Sequence, residues 1–136
     1  MFLVDTNVWL ELLLSRQRAD EVRKFFQATD ASLLAITEFS LYSLGVILTR
    51  LKKAEAFEDF LSDVIEDSGV TRIRLSANEL KEVLAVMQQF RMDFDDAYQY
   101  VATTHYGYTL VSFDKDFDRT RIKRQTPKQI LQKLKK

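Results

Sequence analysis

The first five residues, Met1-Phe2-Leu3-Val4-Asp5, constrain the fold more than any other stretch of the chain. An apolar run of strand length, without polar alternation, fits a strand buried on both faces, as in a parallel sheet. The run stops at a carboxylate, and Thr6-Asn7 separate it from a second apolar run, Val8-Trp9-Leu10. In open α/β sheets, ligands bind beyond the carboxyl ends of the strands, so Asp5 falls where such folds do their chemistry. A blander role stands beside it, in which Asp5 is the N-cap of the next helix.

Downstream, helical and strand patterns alternate. Spacing of apolar residues predicts helices over 8–14 and 19–28, then a short strand at 33–36. A helix at 37–51 is apolar nearly all round, which suits packing on two sides, one the sheet and the other a second copy of the chain. Gly45 in its middle costs about 1 kcal/mol against Ala and marks a close approach of another backbone. An amphipathic helix at 54–66 ends at Ser68-Gly69, and residues 70–75 alternate as a strand. Ser76-Ala77-Asn78-Glu79 has capping-box spacing and opens a helix to about Phe90. Asp93-Phe94-Asp95-Asp96-Ala97 starts another that ends at Gly107, followed by a strand at 108–112 and a short edge strand at 121–123. Thr126-Pro127 supplies a cap and an N1 proline for a last helix at 128–134. This order predicts one α/β domain over 1–136, a central mostly parallel sheet flanked by helices.

Composition narrows the chemistry. The chain has no cysteine, which excludes a disulfide framework and thiolate metal sites. No apolar run approaches a membrane span and no basic leader precedes the apolar start, so a cytoplasmic location without membrane contact is expected. Net charge is zero, yet residues 119–136 carry eight of the 20 Lys and Arg and no acid. Such a basic tail on an acidic body either contacts phosphates or forms a solvated helix face.

The carboxylates are the sharper signal. Asp5 follows one buried strand and Asp114 another, so a parallel sheet brings both to one edge. Asp96 lies in the first turn of the helix feeding the second of these strands. Two carboxylates about 5 Å apart repel by roughly 3 kcal/mol at an effective dielectric of 20. A cluster is therefore protonated or holds a cation, and a hard divalent ion with oxygen ligands is the usual solution. Asp93 and Asp95 read as caps or solvent-facing acids, Asp116 as a loop residue, and His105 as a charge at a helix end. The chain has no glycine-rich phosphate loop, no HExxH and no Ser-His-Asp set.

In Val4-Asp5-Thr6-Asn7, Asp96-Ala97, the stretch Leu110-Val111-Ser112-Phe113-Asp114-Lys115-Asp116-Phe117 and the ending Thr126-Pro127-Lys128-Gln129-Ile130-Leu131, the sequence resembles PIN-domain ribonucleases, the VapC-like toxins of type II toxin–antitoxin pairs. The resemblance spans the whole chain and implies a PIN-like fold and metal-dependent RNA hydrolysis with Mg²⁺ or Mn²⁺. By motif, Asp5, Asp96 and Asp114 fall on the family's catalytic and metal-binding positions and Asp116 on an accessory one. Thr6, Asn7 and Ser112 then support Asp5 and Asp114 by hydrogen bonding. One position departs: where the family has a Glu after a Ser/Thr-x-x-Ser/Thr frame, Thr37-x-x-Ser40-x-x-Ser43 places Ser43. Glu38, the helix's only carboxylate, is the alternative ligand. The resemblance also implies an antitoxin partner and a homodimer. Two other functions compete. One is a non-catalytic member of the fold that binds RNA or protein. The other is a haloacid-dehalogenase-type phosphatase, which wants an Asp where Asn7 stands.

Overall fold

The computed structural model describes residues 1–135. Four short strands form a single all-parallel sheet: β1 (Phe2–Val4), β2 (Leu34–Thr37), β3 (Thr71–Ile73) and β4 (Thr109–Val111), in the order β3-β2-β1-β4. The chain runs outward from β1 through β2 to β3, then returns to place β4 on the other side of β1. Strand order therefore reverses between β1 and β4, and a crevice opens at such a switch point. Register aligns Val4 with Val111, so Asp5 and Ser112 leave the sheet side by side.

Both faces of the sheet are covered, which explains the unbroken apolar run of β1. Leu3, Ala35 and Leu110 point to one side, where Val83, Ala97 and Val101 cover them. Val4, Ile36 and Val111 point to the other, against Val8, Trp9, Phe25, Leu41 and Leu44. Helices α5 (Ala77–Phe90) and α6 (Phe94–Tyr106) build the first layer. The second is built by α1 (Thr6–Leu13), α2 (Ala19–Ala28), α3 (Glu38–Arg50), α4 (Ala54–Phe60) and α7 (Pro127–Leu134). Each fully buried Leu, Val or Phe among these residues contributes about 1.5–3 kcal/mol. No helix among the described residues is long and apolar enough to cross a membrane.

The caps account for the helix boundaries. Thr6 N donates to Asp5 Oδ1 at 2.8 Å, so α1 begins at Thr6 rather than at Val8. Thr37 Oγ1 accepts from Ser40 N at 3.0 Å and starts α3. Full capping boxes form at Ser76 and Glu79 and at Thr126 and Gln129, the latter with Pro127 behind the cap. Gly107 ends α6 with φ of 69°, a left-handed backbone that glycine takes without a Cβ clash.

Three expectations need correction. Residues 121–123 form no strand; Gln125 instead makes an isolated parallel bridge to Val111, its N–H donating to Leu110 O at 2.8 Å. The segment 54–66 is not uniformly α-helical, because a wider π-turn, Leu61–Glu66, follows α4 and keeps Leu61, Val64 and Ile65 against the core. Among the described residues Gly45 faces a ring rather than a second backbone. A Cβ there would lie 3.0 Å from the Phe57 ring of α4, so the missing side chain makes room for that ring.

Candidate active site

The crevice between β1 and β4 holds a cleft of about 400 Å³ whose lining includes Asp5, Asn7, Ser43, Asp96, Gln99 and Asp114. Asp5 is 6% exposed and both its oxygens are engaged. Oδ1 accepts from Thr6 N and from Gln99 Nε2 at 3.0 Å. Oδ2 accepts from Ser112 Oγ at 2.7 Å and Asn7 Nδ2 at 3.3 Å. Asp5 is thus both the cap of α1 and a member of the cleft. Burial raises its carboxyl above the usual range against the opposing hydrogen bonds from Gln99, Ser112 and Thr6.

Asn7 and Ser112 lock the two strand ends together. Asn7 Nδ2 donates to Ser112 Oγ at 3.2 Å, Asn7 Oδ1 accepts from Phe113 N at 3.2 Å, and Ser112 Oγ accepts from Asp114 N at 3.0 Å. Asp114 in turn caps the turn that follows, its Oδ1 accepting from Asp116 N at 2.9 Å. Thr6 turns the other way, its Oγ1 donating to Ser40 Oγ at 2.8 Å.

Asp96 sits in the first turn of α6, as its position in the sequence predicts. Asp96, Asp114 and Asp116 each offer a carboxylate oxygen, and these three oxygens lie within 4.8 Å of one another. Burial, followed by the charges of Asp114, Asp95, Asp5 and Asp116, pushes the Asp96 carboxyl up to about 7. Crowded oxygen-only donors with one acid forced toward protonation suit a hard divalent cation such as Mg²⁺ or Mn²⁺.

Glu38 is not brought into this cluster. It pairs with Arg72 Nε at 3.2 Å and faces Arg74 Nε at 4.0 Å, toward the β3 edge. The face of α3 turned to the cleft carries Phe39, Ser43 and Ile47, spaced four apart, and contributes no carboxylate. Ser43 therefore occupies the position where the resemblance leads one to expect a Glu. Asp93 precedes α6 without a side-chain cap bond, and Asp95 lies at the cleft rim. His105 Nε2 contacts Glu79 Oε2 at 3.1 Å, on a different part of α6.

Gln99 is the residue that sequence reasoning missed. It is 2% exposed and joins three elements. Its Nε2 donates to Asp5 and to Ser40 Oγ at 2.9 Å, while its Oε1 accepts from Thr37 Oγ1 at 2.8 Å. The available signal was an amide three residues after Asp96, on a helix otherwise buried from Ala97 to Thr103.

The raised acids give the metal-free protein a definite pH response. A carboxyl whose folded value exceeds its ordinary value of 3.8 binds more protons folded than unfolded above that pH, so it lowers stability as pH rises. For Asp96 the loss runs from about pH 4 to about 7 and is complete above it. Asp30 and Glu79, both lowered by bonds from the residues they cap, act in the opposite sense but only below about their ordinary values of 3.8 and 4.5. The expected result in chelator is a melting temperature that falls between pH 5 and 8. Divalent cation should flatten the decline; a rise across that window in chelator would contradict the clustering.

Fold and cleft together define a class of α/β domains that gather acids at the switch point of a short parallel sheet. The sequence profile described as "PIN domain" matches residues 2–123, and the chain belongs to that family. Solved structures agree on the fold. VapC20 of Mycobacterium tuberculosis, described as a sarcin-ricin loop cleaving toxin, is 17% identical with a TM-score of 0.78, covering 93% of this chain and 100% of its own. A chain of VapBC2 from Rickettsia felis, solved bound to a DNA fragment from its promoter, gives 17% and 0.74 over 92% and 97%. PAE2754 of Pyrobaculum aerophilum gives 21% and 0.71 over 98% and 94%. Comparison with curated protein sequences gives no significant match.

Proposed function

We propose that this protein is a divalent-metal-dependent endoribonuclease and the toxin of a toxin–antitoxin pair. The observation that carries the reading is the meeting of Asp96, Asp114 and Asp116 beside the buried Asp5 at the switch point of a PIN fold. Asp5, Asp96 and Asp114 are the catalytic and metal-holding residues in this reading, with Asp116 as an accessory ligand. Thr6, Asn7 and Ser112 support them. Glu38 has no part, because Arg72 and Arg74 hold it elsewhere.

A bound cation would supply Lewis-acid stabilisation of the phosphodiester oxygens and lower the pKa of an attacking water. The chain's own residues prepare the ground for it. Four donors fix both oxygens of Asp5, so this acid cannot swing. Asn7 and Ser112 set the loop that aims Asp114 into the cleft. Asp96, poised near neutrality, exchanges its proton for the cation without a large penalty at physiological pH.

The experiment is cleavage of a mixed single-stranded RNA pool with Mg²⁺, with Mn²⁺ and with chelator. Metal-dependent cleavage is expected; its absence in every condition would favour the second reading, a non-catalytic RNA- or protein-binding module. That reading draws on Ser43, which leaves α3 without a carboxylate in the cleft. The phosphatase alternative is not retained, since the chain is a PIN domain and Asn7 spends its amide on Asp5 and Ser112.

The solved relatives in toxin–antitoxin complexes support an antitoxin as partner. A homodimer through α3 is part of the same proposal. Tyr42 and Val46 are 56% and 47% exposed beside an apolar hollow of about 430 Å³. A monomer by light scattering at micromolar concentration would remove that assignment. Cytoplasmic action on RNA completes the reading.

A further inference from the structure

The loop leaving β4 has two sides. Asp114 faces the acidic cleft, whereas its neighbours Phe113 and Lys115 line a separate hollow of about 250 Å³. Four cations surround that hollow, Arg18, Lys115, Arg124 and Lys128, against the single acid Glu21. Arg124 is already committed. Its Nε and Nη2 hold Asp118 at 3.0 and 3.1 Å, and Nη1 donates to Ser112 O at 3.2 Å. Arg18, Lys115 and Lys128 are exposed and have no salt-bridge partner among the described residues. The Arg18 guanidinium lies 4.5 Å from the centroid of the Phe113 ring.

This combination fits one kind of ligand better than others. Single-stranded nucleic acid is held by cations on its phosphates and by bases stacked on aromatic rings or guanidinium planes. An acidic peptide would use the charges but has no need of a flat cationic plate. The hollow is also tied directly to the cleft, because Phe113 N donates to Asn7, which lines the cleft and binds Asp5. We infer that the Arg18–Phe113 hollow is the subsite for the nucleotide adjoining the scissile phosphate, with its phosphate on Lys115 and Lys128 and its base against the Arg18–Phe113 pair. It extends the ribonuclease reading, on which it rests, by fixing where the strand enters.

The test is fluorescence anisotropy with a labelled single-stranded RNA 12-mer, in chelator so that no metal-dependent cleavage intervenes. The variant is Arg18→Ala with Lys128→Ala, and the control is Lys52→Ala with Lys53→Ala between α3 and α4. Thermal melts of all variants confirm that they remain folded. Kd for the first pair is expected to rise about tenfold, as loss of a stacking contact and a phosphate contact implies. The slope of log K against log salt should shrink by about 0.7, the share of one phosphate contact on a single strand. Arg18→Lys should keep the salt slope but lose affinity, because it retains the charge without the plane.

Equal losses in the control pair, or unchanged RNA affinity in the Arg18 and Lys128 pair, would overturn the subsite. So would an acidic peptide whose binding is lost in that pair while RNA binding stays intact, since the hollow would then serve a protein partner. A wild type that binds RNA through these residues but never cleaves it would instead defeat the ribonuclease reading and leave RNA binding at the hollow standing. In active protein the pair should lower kcat/KM for the pool.

Discussion

Asp96→Asn is expected to abolish metal-dependent RNA cleavage while leaving the protein folded and, without metal, more stable above pH 7 than the wild type. The two effects have opposite signs for one reason. The carboxylate at 96 is unfavourable in the empty cluster, where burial and the charges of Asp114, Asp95, Asp5 and Asp116 drive it toward protonation. The amide removes that repulsion and also removes a ligand. Metal-borne stabilisation of charge in phosphodiester hydrolysis amounts to several kcal/mol, so the loss of rate is on the order of 10³-fold or more. Single-turnover cleavage in Mg²⁺ and thermal melts in chelator at pH 8 read the two effects separately. Residual cleavage within tenfold of wild type would place the chemistry elsewhere. Unchanged stability at pH 8 would show that the acids do not interact as their spacing requires.

The second large effect belongs to a residue that touches no metal in this reading. Gln99→Met keeps the length and roughly the volume of the side chain but deletes its polar end. Asp5 Oδ1, Ser40 Oγ and Thr37 Oγ1 each lose a partner inside the protein. Each buried group left unsatisfied costs about 1–3 kcal/mol, and more where it is charged. Asp5 Oδ1 keeps Thr6 N, Ser40 Oγ keeps Thr6 Oγ1 and Thr37 Oγ1 keeps Ser40 N, so the net destabilisation is about 2–4 kcal/mol, within the range of a severe single mutation. Denaturant unfolding should show a lower midpoint with an unchanged slope. Metal affinity should fall by about 10–100-fold, the usual consequence of removing a residue that orients a ligand. A Gln99→Met protein with wild-type affinity for Mn²⁺ by calorimetry would show that Asp5 needs no help from α6.

Much of the architecture was legible because its signals are local. The run Phe2-Leu3-Val4 reads as a doubly buried strand from composition alone, the Ser76–Glu79 capping box appears as a spacing, and Thr126-Pro127 reads as a cap with an N1 proline. Asp5, Asp96 and Asp114 line one cleft because a parallel sheet sends the ends of β1 and β4 to one edge and α6 starts beside it. What the sequence did not disclose depends on rotation and partnership. Glu38 and Ser43 are five residues apart and so cannot share a helix face, but which of them meets the cleft is set by how α3 packs on the sheet. Gln99 looked like one polar residue on a buried helix until its three partners, two of them 62 and 94 residues away, were in place. Gly45 carried a real packing signal whose source, a ring from the next helix, could not be named from spacing.

The reversal of strand order between β1 and β4 also sets when the site comes into being. Asp5 is made well before its partners, for the bonds that hold it and its neighbours reach Gln99 and Ser112, 94 and 107 residues later. During synthesis the growing chain carries half a site for most of its length, and α1, α2 and α3 can pack against β1 and β2 without completing it. Only when β4 slides in beside β1 do the acids meet. The cleft is therefore assembled only after the segment through β4 has been made. Any change that loosens the pairing of Leu3 and Val4 with Leu110 and Val111 acts on assembly of the site before it acts on chemistry.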